Sequence, residues 1–350
     1  MTPRITKLNT VIEKKNLDAF LITTPENVYY MSGFKPGEAY LLITKIDNFL
    51  ITDFRYKEDA QEVPNFKMRL IDGGFPDSFK KILKHLGIKK VGFEADNLSY
   101  HKTASLRKTL KDEKIKLEPL AETIEELRLL KDDGEIKKIK NAIAIARKVL
   151  GALKIRPGIT EKEVSQDLDN LIRVSGGDRN AFPTIVASGV NSSRPHAAVT
   201  NKVIKKDELV LVDFGVNLDM YNCDLTRVFQ MGKIERLLYD VYLICKEAQR
   251  LAIEKVKPGV RAKAVDKVAR DYIAGKGFGK SFGHSLGHGV GIAIHELPRI
   301  SYKSDCVLKP NMVFTVEPGI YIEKLGGVRI EDMVLVTQNG CEVLTDDLPQ

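Results

Sequence analysis

Read for where its apolar residues fall, the chain divides into two differently patterned stretches. Residues 1–118 alternate between helical and strand periods. The run ITKLNTVIEKKNLDAF carries apolar positions at helical spacing. LLIT and NFLIT read as strands joined by a tight turn at Ile46–Asn48, and VGFEAD reads as a short buried strand. This alternation predicts an α/β layer over a mixed or parallel sheet. Glu118-Pro119 is expected to break the pattern, because proline lacks the amide hydrogen that helices and ladders use. An acidic cap at Asp132–Asp133 then opens a long helix running through Glu135 to Leu153. The expected division is an N-terminal domain over residues 1–122 and a C-terminal domain over residues 123–350.

The second stretch repeats itself. KIRPGITEKEV (Lys154–Val164) and KVKPGVRAKAV (Lys255–Val265) match at a constant offset of 101 residues, with Pro157/Pro258 and Gly158/Gly259 identical. Each copy follows a long amphipathic helix and opens a second one. Thr160 and Glu163 have the spacing of a capping box in the first copy. Strand-like segments come next in both halves: TIVASG and ELVLVDFG in one, MVFTVEPG and VRIEDMVLV in the other. Two helix-helix-strand-strand units predict a pseudo-twofold domain with its site between the halves.

Length and composition narrow the class. A chain of 350 residues is longer than one core usually supports. The net charge of +8 comes from lysines interspersed with acids, so neither a basic tail nor a nucleic-acid-binding stripe stands out. No apolar run approaches the ~18 residues of a membrane span. The N-terminal residues lack the apolar segment of a signal peptide, and a cytoplasmic protein is expected. Cys223, Cys245, Cys306 and Cys341 are scattered without a CxxC pair, which points to thiols packed in the fold and away from a zinc site. Cys223 is expected to pack away from its neighbour Asp224, because adjacent strand residues face opposite ways.

The candidate chemistry lies in five segments: LVDFG, NCDLTR, GHSLGHGVG, FTVEPG and VRIED. They carry Asp213, Asp224, His288, Glu317 and Glu331. Four carboxylates gathered in one place raise each other's pKa unless cations balance them. One imidazole among oxygen donors suits hard or borderline divalent ions. Asp213 and Asp224 flank VNLDMYN, where Asn217, Asp219 and Asn222 are turn candidates that would bring both carboxylates to one face. Pro318 restricts Glu317 to extended backbone, and Gly326-Gly327 is the expected turn of a hairpin leading to Glu331. GKGFGKSFGHSLGHGVG is as glycine-rich as a phosphate loop but lacks its preceding strand and its Lys-Ser/Thr end. Its glycines are expected to let the chain pass close to metal and substrate.

In their order and local sequence, the five segments resemble the pita-bread metallopeptidases, whose members include Xaa-Pro dipeptidase (prolidase), aminopeptidase P and methionine aminopeptidase. TTPENVYYMSGF and ITDFRY extend the resemblance to the prolidase and aminopeptidase P branch, so that it covers nearly the whole chain. It implies an α/β (α+β) protein, with an N-terminal domain capping the cleft of a C-terminal pita-bread domain. It also implies two divalent ions, Mn2+ or Co2+ before Zn2+ or Fe2+, which share a hydroxide. Asp224 and Glu331 would bridge them, Asp213 would bind one, and His288 and Glu317 the other.

By the same resemblance His196 and His295 are catalytic and Glu317 doubles as general base. His284 lines the substrate pocket, Arg299 pairs with the free carboxylate of a dipeptide, and Arg329 supports a ligand. The implied activity is hydrolysis of Xaa-Pro dipeptides by a homodimer. Aminopeptidase P activity on longer peptides is the alternative, ahead of methionine aminopeptidase and of a non-catalytic binding module.

Overall fold

The computed structural model describes residues 3–35 and 37–346, and the chain divides into two units between Arg128 and Leu129. In the first unit, the helical spacing of the opening run outlasts the helix. Helix α1 (Pro3–Lys14) stops before Asn16, which takes a φ of 52°, and Ala19–Ile22 instead form strand β1, buried throughout. Then come α2 (Pro25–Ser32), β2 (Ala39–Thr44), β3 (Asn48–Thr52), α3 (Lys57–Gln61), β4 (Lys67–Leu70) and α4 (Phe75–His85). The unit ends with β5 (Lys90–Glu94), α5 (Tyr100–Leu110), β6 (Lys116–Leu120) and α6 (Thr123–Arg128).

The six strands form one mixed sheet in the order β4-β3-β2-β1-β5-β6, antiparallel on both sides of β2 and parallel elsewhere. Glu118-Pro119 therefore does not break the pattern; it lies inside β6. The sheet tolerates the proline because β6 is an edge strand. Lys116 donates inward to Lys89 O at 2.8 Å, and strand alternation then turns Pro119, three residues on, towards the open edge, where no ladder bond is required.

The second unit starts on its expected cap. The Asp132 side chain accepts from the Glu135 amide at 2.9 Å, and Glu135 accepts from the Asp132 amide at 3.0 Å, opening α7 (Asp133–Ala152). Helix α8 (Glu161–Val174) follows on the Thr160–Glu163 capping box. The strands of the first half are β7 (Arg179–Asn180), β8 (Ile185–Ser188), β9 (Leu209–Phe214), β10 (Val216–Leu218), β11 (Tyr221–Asn222) and β12 (Leu225–Gln230). The second half comprises α9 (Arg236–Lys255), α10 (Ala262–Gly275), β13 (Gly287–Gly289), β14 (Glu296–Ile300), β15 (Val313–Val316), β16 (Gly319–Ile322), β17 (Gly326–Arg329), β18 (Asp332–Val336) and β19 (Cys341–Val343).

The internal repeat survives at the level of single hydrogen bonds. Helices α7 and α9 each have 20 residues, and α8 and α10 each have 14. Gly158 and Gly259 both adopt positive φ (97° and 85°), the conformation a side chain would resist. Gly158 donates to Ile204 O and Gly259 to Leu308 O, each at 2.9 Å. Ile204 then donates back to Ile159 O, and Leu308 to Val260 O, each at 2.8 Å. Under the second half, α9 and α10 bury Val241, Ala248, Val265 and Ala269 against Phe314, Val316, Ile320 and Val328 of the strands.

Two local expectations need correction. Asn217 and Asn222 are not turn residues. They face each other across β10 and β11, their side chains 2.6 Å apart, and the turn is made by Asp219 and Met220, both with positive φ. Gly326-Gly327 is likewise not the hairpin turn, which lies at residues 323–325 with Lys324 at φ 64°. Gly327 is instead the second residue of β17, where a Cβ would come within 2.4 Å of Ser192 O.

Candidate metal centre

All four carboxylates lie in or beside places where strands are interrupted. Asp213 is the penultimate residue of β9, opposite Thr226 of β12. Asp224 occupies the step between β11 and β12, and Glu317 the step between β15 and β16. VRIEDMVLV, expected as one strand, is cut in two with Glu331 in the gap between β17 and β18. Such irregularities turn a side chain out of the ordinary alternation. His288 stands in the middle of β13, its amide 3.2 Å from Thr315 Oγ1.

The five residues converge. One donor atom from each of Asp224, His288 and Glu331 lies within 4.8 Å of the others. His288 Nε2 is 3.5 Å from Asp224 Oδ2 and 3.4 Å from Glu317 Oε1. Asp213 Oδ2 is 2.7 Å from Arg329 Nη2, whereas its Oδ1, equally buried, has no hydrogen-bond partner.

The electrostatics match a crowd of acids short of cations. Burial, then Asp213 and Glu317, push the Asp224 carboxyl well above its usual range. Burial, then Asp224, do the same to Glu331. Glu317 rises to about 7, chiefly through burial. Burial also lowers the pKa of His288, leaving a neutral ring. Its Nδ1 lies 3.1 Å from Gly289 O, which can only accept, so the Nε2 lone pair faces two carboxylates. A lone pair aimed at two carboxylates is unfavourable while they are ionised and favourable around a cation. The orphaned Asp213 oxygen, the raised carboxyls and the O/N donor set all fit divalent metal ions.

Arg329 bonds one ligand candidate and three further groups. It donates to Asp213, to Thr226 Oγ1 at 3.1 Å, to Tyr321 OH at 2.8 Å and to Pro195 O at 3.1 Å. Thr226 Oγ1 donates in turn to Glu331 Oε2 at 2.7 Å, and Thr315 Oγ1 to Glu317 Oε1 at 3.2 Å. Sequence reading overlooked Thr226, Thr315 and Tyr321. Thr226 and Thr315 each stand two positions from a ligand candidate, and that closeness in sequence is the signal available for finding them.

The histidines line one side. His295 makes an edge contact with the His288 ring, their centroids 4.3 Å apart, and its pKa is lowered by burial first and by His288 and His196 next. His284 Nε2 lies 3.1 Å from Tyr321 OH, and burial drives its pKa down to about 4. His196 is exposed, close enough to bear on His284 and His295. Arg299 pairs directly with His288 across β13 and β14, so the two side chains share a sheet face.

Cys223 is buried with its Sγ 3.4 Å from the Val216 amide, and burial raises the thiol to about 12, which keeps it protonated. The glycines beside His288 serve the sheet. A Cβ on Gly287 would fall 1.9 Å from Thr315 O, and one on Gly289 2.1 Å from Leu297 O, so they admit neighbouring strand backbone.

A pita-bread domain enclosing a buried cluster of acids and one imidazole defines a metal-dependent peptidase. The chain belongs to metallopeptidase family M24, whose model matches residues 137–338; the model of the creatinase/prolidase N-terminal domain matches residues 4–130. The Xaa-Pro dipeptidase of Pyrococcus horikoshii is 39% identical over 351 residues, spanning 99% of this chain and 97% of the relative. Among solved structures, an Xaa-Pro dipeptidase from Bacillus anthracis aligns with a TM-score of 0.95 at 38% identity, over 99% of this chain and 98% of the other. An X-Pro aminopeptidase from Thermotoga maritima aligns with a TM-score of 0.88 at 39% identity, over 96% and 97% of the two chains. The protein is thus a metallopeptidase that uses divalent metal ions. None of its described helices is long and apolar enough to cross a membrane.

Proposed function

We propose that this metallopeptidase hydrolyses Xaa-Pro dipeptides with two divalent ions, Mn2+ or Co2+, held by Asp213, Asp224, His288, Glu317 and Glu331. End-to-end similarity to Xaa-Pro dipeptidases supports the reaction. The observation that carries the substrate is the register of Arg299 opposite His288, which turns a guanidinium to the ligand face of the sheet. A guanidinium grips a carboxylate through two parallel donors, and a dipeptide presents its free carboxylate one residue from the bond to be cut.

When bound, the ions supply Lewis acidity towards the scissile carbonyl and lower the pKa of the attacking water. The remaining work falls to side chains. Glu317, a carboxylate beside the ions, takes the proton of that water. His295, kept neutral by burial, donates a ring N–H to the carbonyl oxygen as it gains charge. His196 faces the leaving side, where the prolyl nitrogen has no hydrogen of its own to offer. His284, neutral and held by Tyr321, lines the pocket. The proposal extends to a cytoplasmic homodimer.

A second reading, release of the N-terminal residue from longer Xaa-Pro peptides, is favoured by the likeness to the Thermotoga X-Pro aminopeptidase. Incubating metal-reconstituted protein with Ala-Pro, Ala-Pro-Ala and Met-Ala-Ser separates the two. Cleavage of Ala-Pro alone is expected. Release of alanine from the tripeptide supports the second reading, and turnover of the methionyl peptide alone rejects both.

A further inference from the structure

We propose that Glu161 is a positioning residue that holds the His196 segment in place; the inference rests on the reading of His196 as a catalytic group. Glu161 is the first residue of α8 and is fully buried. Its carboxylate does no work for the helix cap, which Thr160 and Glu163 complete by themselves. It faces instead the two ends of the segment that carries His196. At one end, Oε1 accepts from the Ser188 amide at 2.7 Å, from Ser188 Oγ at 2.8 Å and from Asn191 Nδ2 at 3.0 Å. At the other end, Oε2 accepts from the Thr200 amide at 3.2 Å and from Thr200 Oγ1. Residues 189–200 thus form a loop whose two ends both bond Glu161, with Asn191 Nδ2 to Thr200 Oγ1 (3.3 Å) and Lys202 Nζ to Ser188 Oγ (2.7 Å) beside it and His196 at its exposed part.

The internal duplication supplies a built-in control. The position equivalent to Glu161 in the second half is Ala262, also fully buried and also the first residue of its helix. The backbone bonds there are the same: Glu161 donates to Lys202 O at 3.1 Å, and Ala262 donates to Cys306 O at 2.8 Å. The helix start and its strand contact therefore form without a carboxylate. Both halves have a connection at this point, and the one in the first half carries His196. Burying a carboxylate is costly unless donors surround it, and here the donors come from that loop.

The underside of the segment rests on the metal centre. Ser192 Oγ accepts from the Gly327 amide at 2.8 Å, and Pro195 O accepts from Arg329, the residue that grips Asp213. Glu161 and Arg329 thus hold the loop from opposite sides, one from its base and one beside His196. A displacement of about 1 Å in a catalytic group costs on the order of 100-fold in rate, so the anchor acts on turnover through His196.

The test compares four metal-reconstituted proteins on Ala-Pro: wild type, Glu161→Gln, His196→Ala and the double variant. Glutamine keeps the shape, loses the charge and turns its own NH2 towards the donors. The expected result is a kcat lower by about 10–100-fold in Glu161→Gln, with KM and metal affinity little changed, and no further loss when it is added to His196→Ala. Losses that multiply, or a parallel loss of metal binding, overturn the inference. If His196→Ala leaves hydrolysis intact, the catalytic reading of His196 fails, and hydrogen exchange of residues 189–200 then decides the anchor. Faster exchange in Glu161→Gln upholds it and unchanged exchange rejects it. Should Glu161→Gln fold poorly, Thr200→Val removes one donor to the same carboxylate, and the same comparison applies.

Discussion

Arg329 Nη2 lies 2.7 Å from Asp213 Oδ2, and the same guanidinium reaches Thr226, Tyr321 and Pro195. One buried cation thus joins a ligand candidate to the threonine that holds Glu331, to the tyrosine that holds His284 and to the loop of His196. Lysine is no substitute, because it is a point charge without the planar fork. Arg329→Lys is expected to weaken metal binding or turnover by about 10–100-fold, the usual effect of removing support from a ligand. Metal titration by calorimetry, together with Ala-Pro turnover, measures it. Wild-type values in both would remove Arg329 from this role.

Metal affinity should rise with pH through neutrality. Protons compete with metal for the carboxyls, and Glu317 holds its proton up to about 7. In the metal-free protein the sign for stability is opposite. A carboxyl raised from 4.5 to about 7 in the folded state binds protons more tightly than in the unfolded chain. Its contribution is fully present below pH 4.5 and is lost as pH rises through about 7. Metal-free protein is therefore expected to melt at lower temperature at pH 8 than at pH 5.5 on account of this group, and added Mn2+ to close the gap. A melting temperature that climbs over that range without metal would contradict the assignment.

Arg299→Ala is expected to reduce kcat/KM for Ala-Pro by about 10–100-fold, the worth of a charged hydrogen-bonded contact of roughly 1.5–3 kcal/mol. The loss should fall mainly in KM and be small for Ala-Pro-amide, which has no terminal carboxylate. Equal losses on both substrates would assign Arg299 a structural role.

Gly287→Ala tests why glycine surrounds His288. Its Cβ would meet Thr315 O at 1.9 Å, within a sheet that has no slack, whereas one on Gly283 would meet nothing within 4 Å. Overpacking of this kind costs about 1–3 kcal/mol. Denaturant melts are expected to show that loss for Gly287→Ala and, for Gly283→Ala, a change within about 0.5 kcal/mol. Comparable losses in the two would mean that contact with Thr315 is irrelevant.

Several features of the fold were legible because they are local. The Asp132–Glu135 and Thr160–Glu163 caps depend on residues three apart, and the matching of Lys154–Val164 with Lys255–Val265 needs no knowledge of the fold. Local reasoning failed where a residue's meaning depends on its neighbour in space. Pro119 looks like a breaker until β6 proves to be an edge, and Asn217 and Asn222 look like turn residues until they prove to face each other. Helical spacing outruns α1 because Leu17 and Phe20 are apolar at that spacing yet are buried after the helix has ended.

The linear sequence alone determined the inventory: which acids and histidines were available, the two halves that carry them, and the glycines and prolines that limit the backbone. Tertiary structure decided the pairings. Arg329 meets Asp213, Thr226 meets Glu331 and Glu161 meets Thr200 across separations of 116, 105 and 39 residues. No periodicity encodes such contacts, because they arise only when strands broken at the right residues turn their side chains into a shared interior. The cost of burying those charges unpartnered is what holds each to its partner.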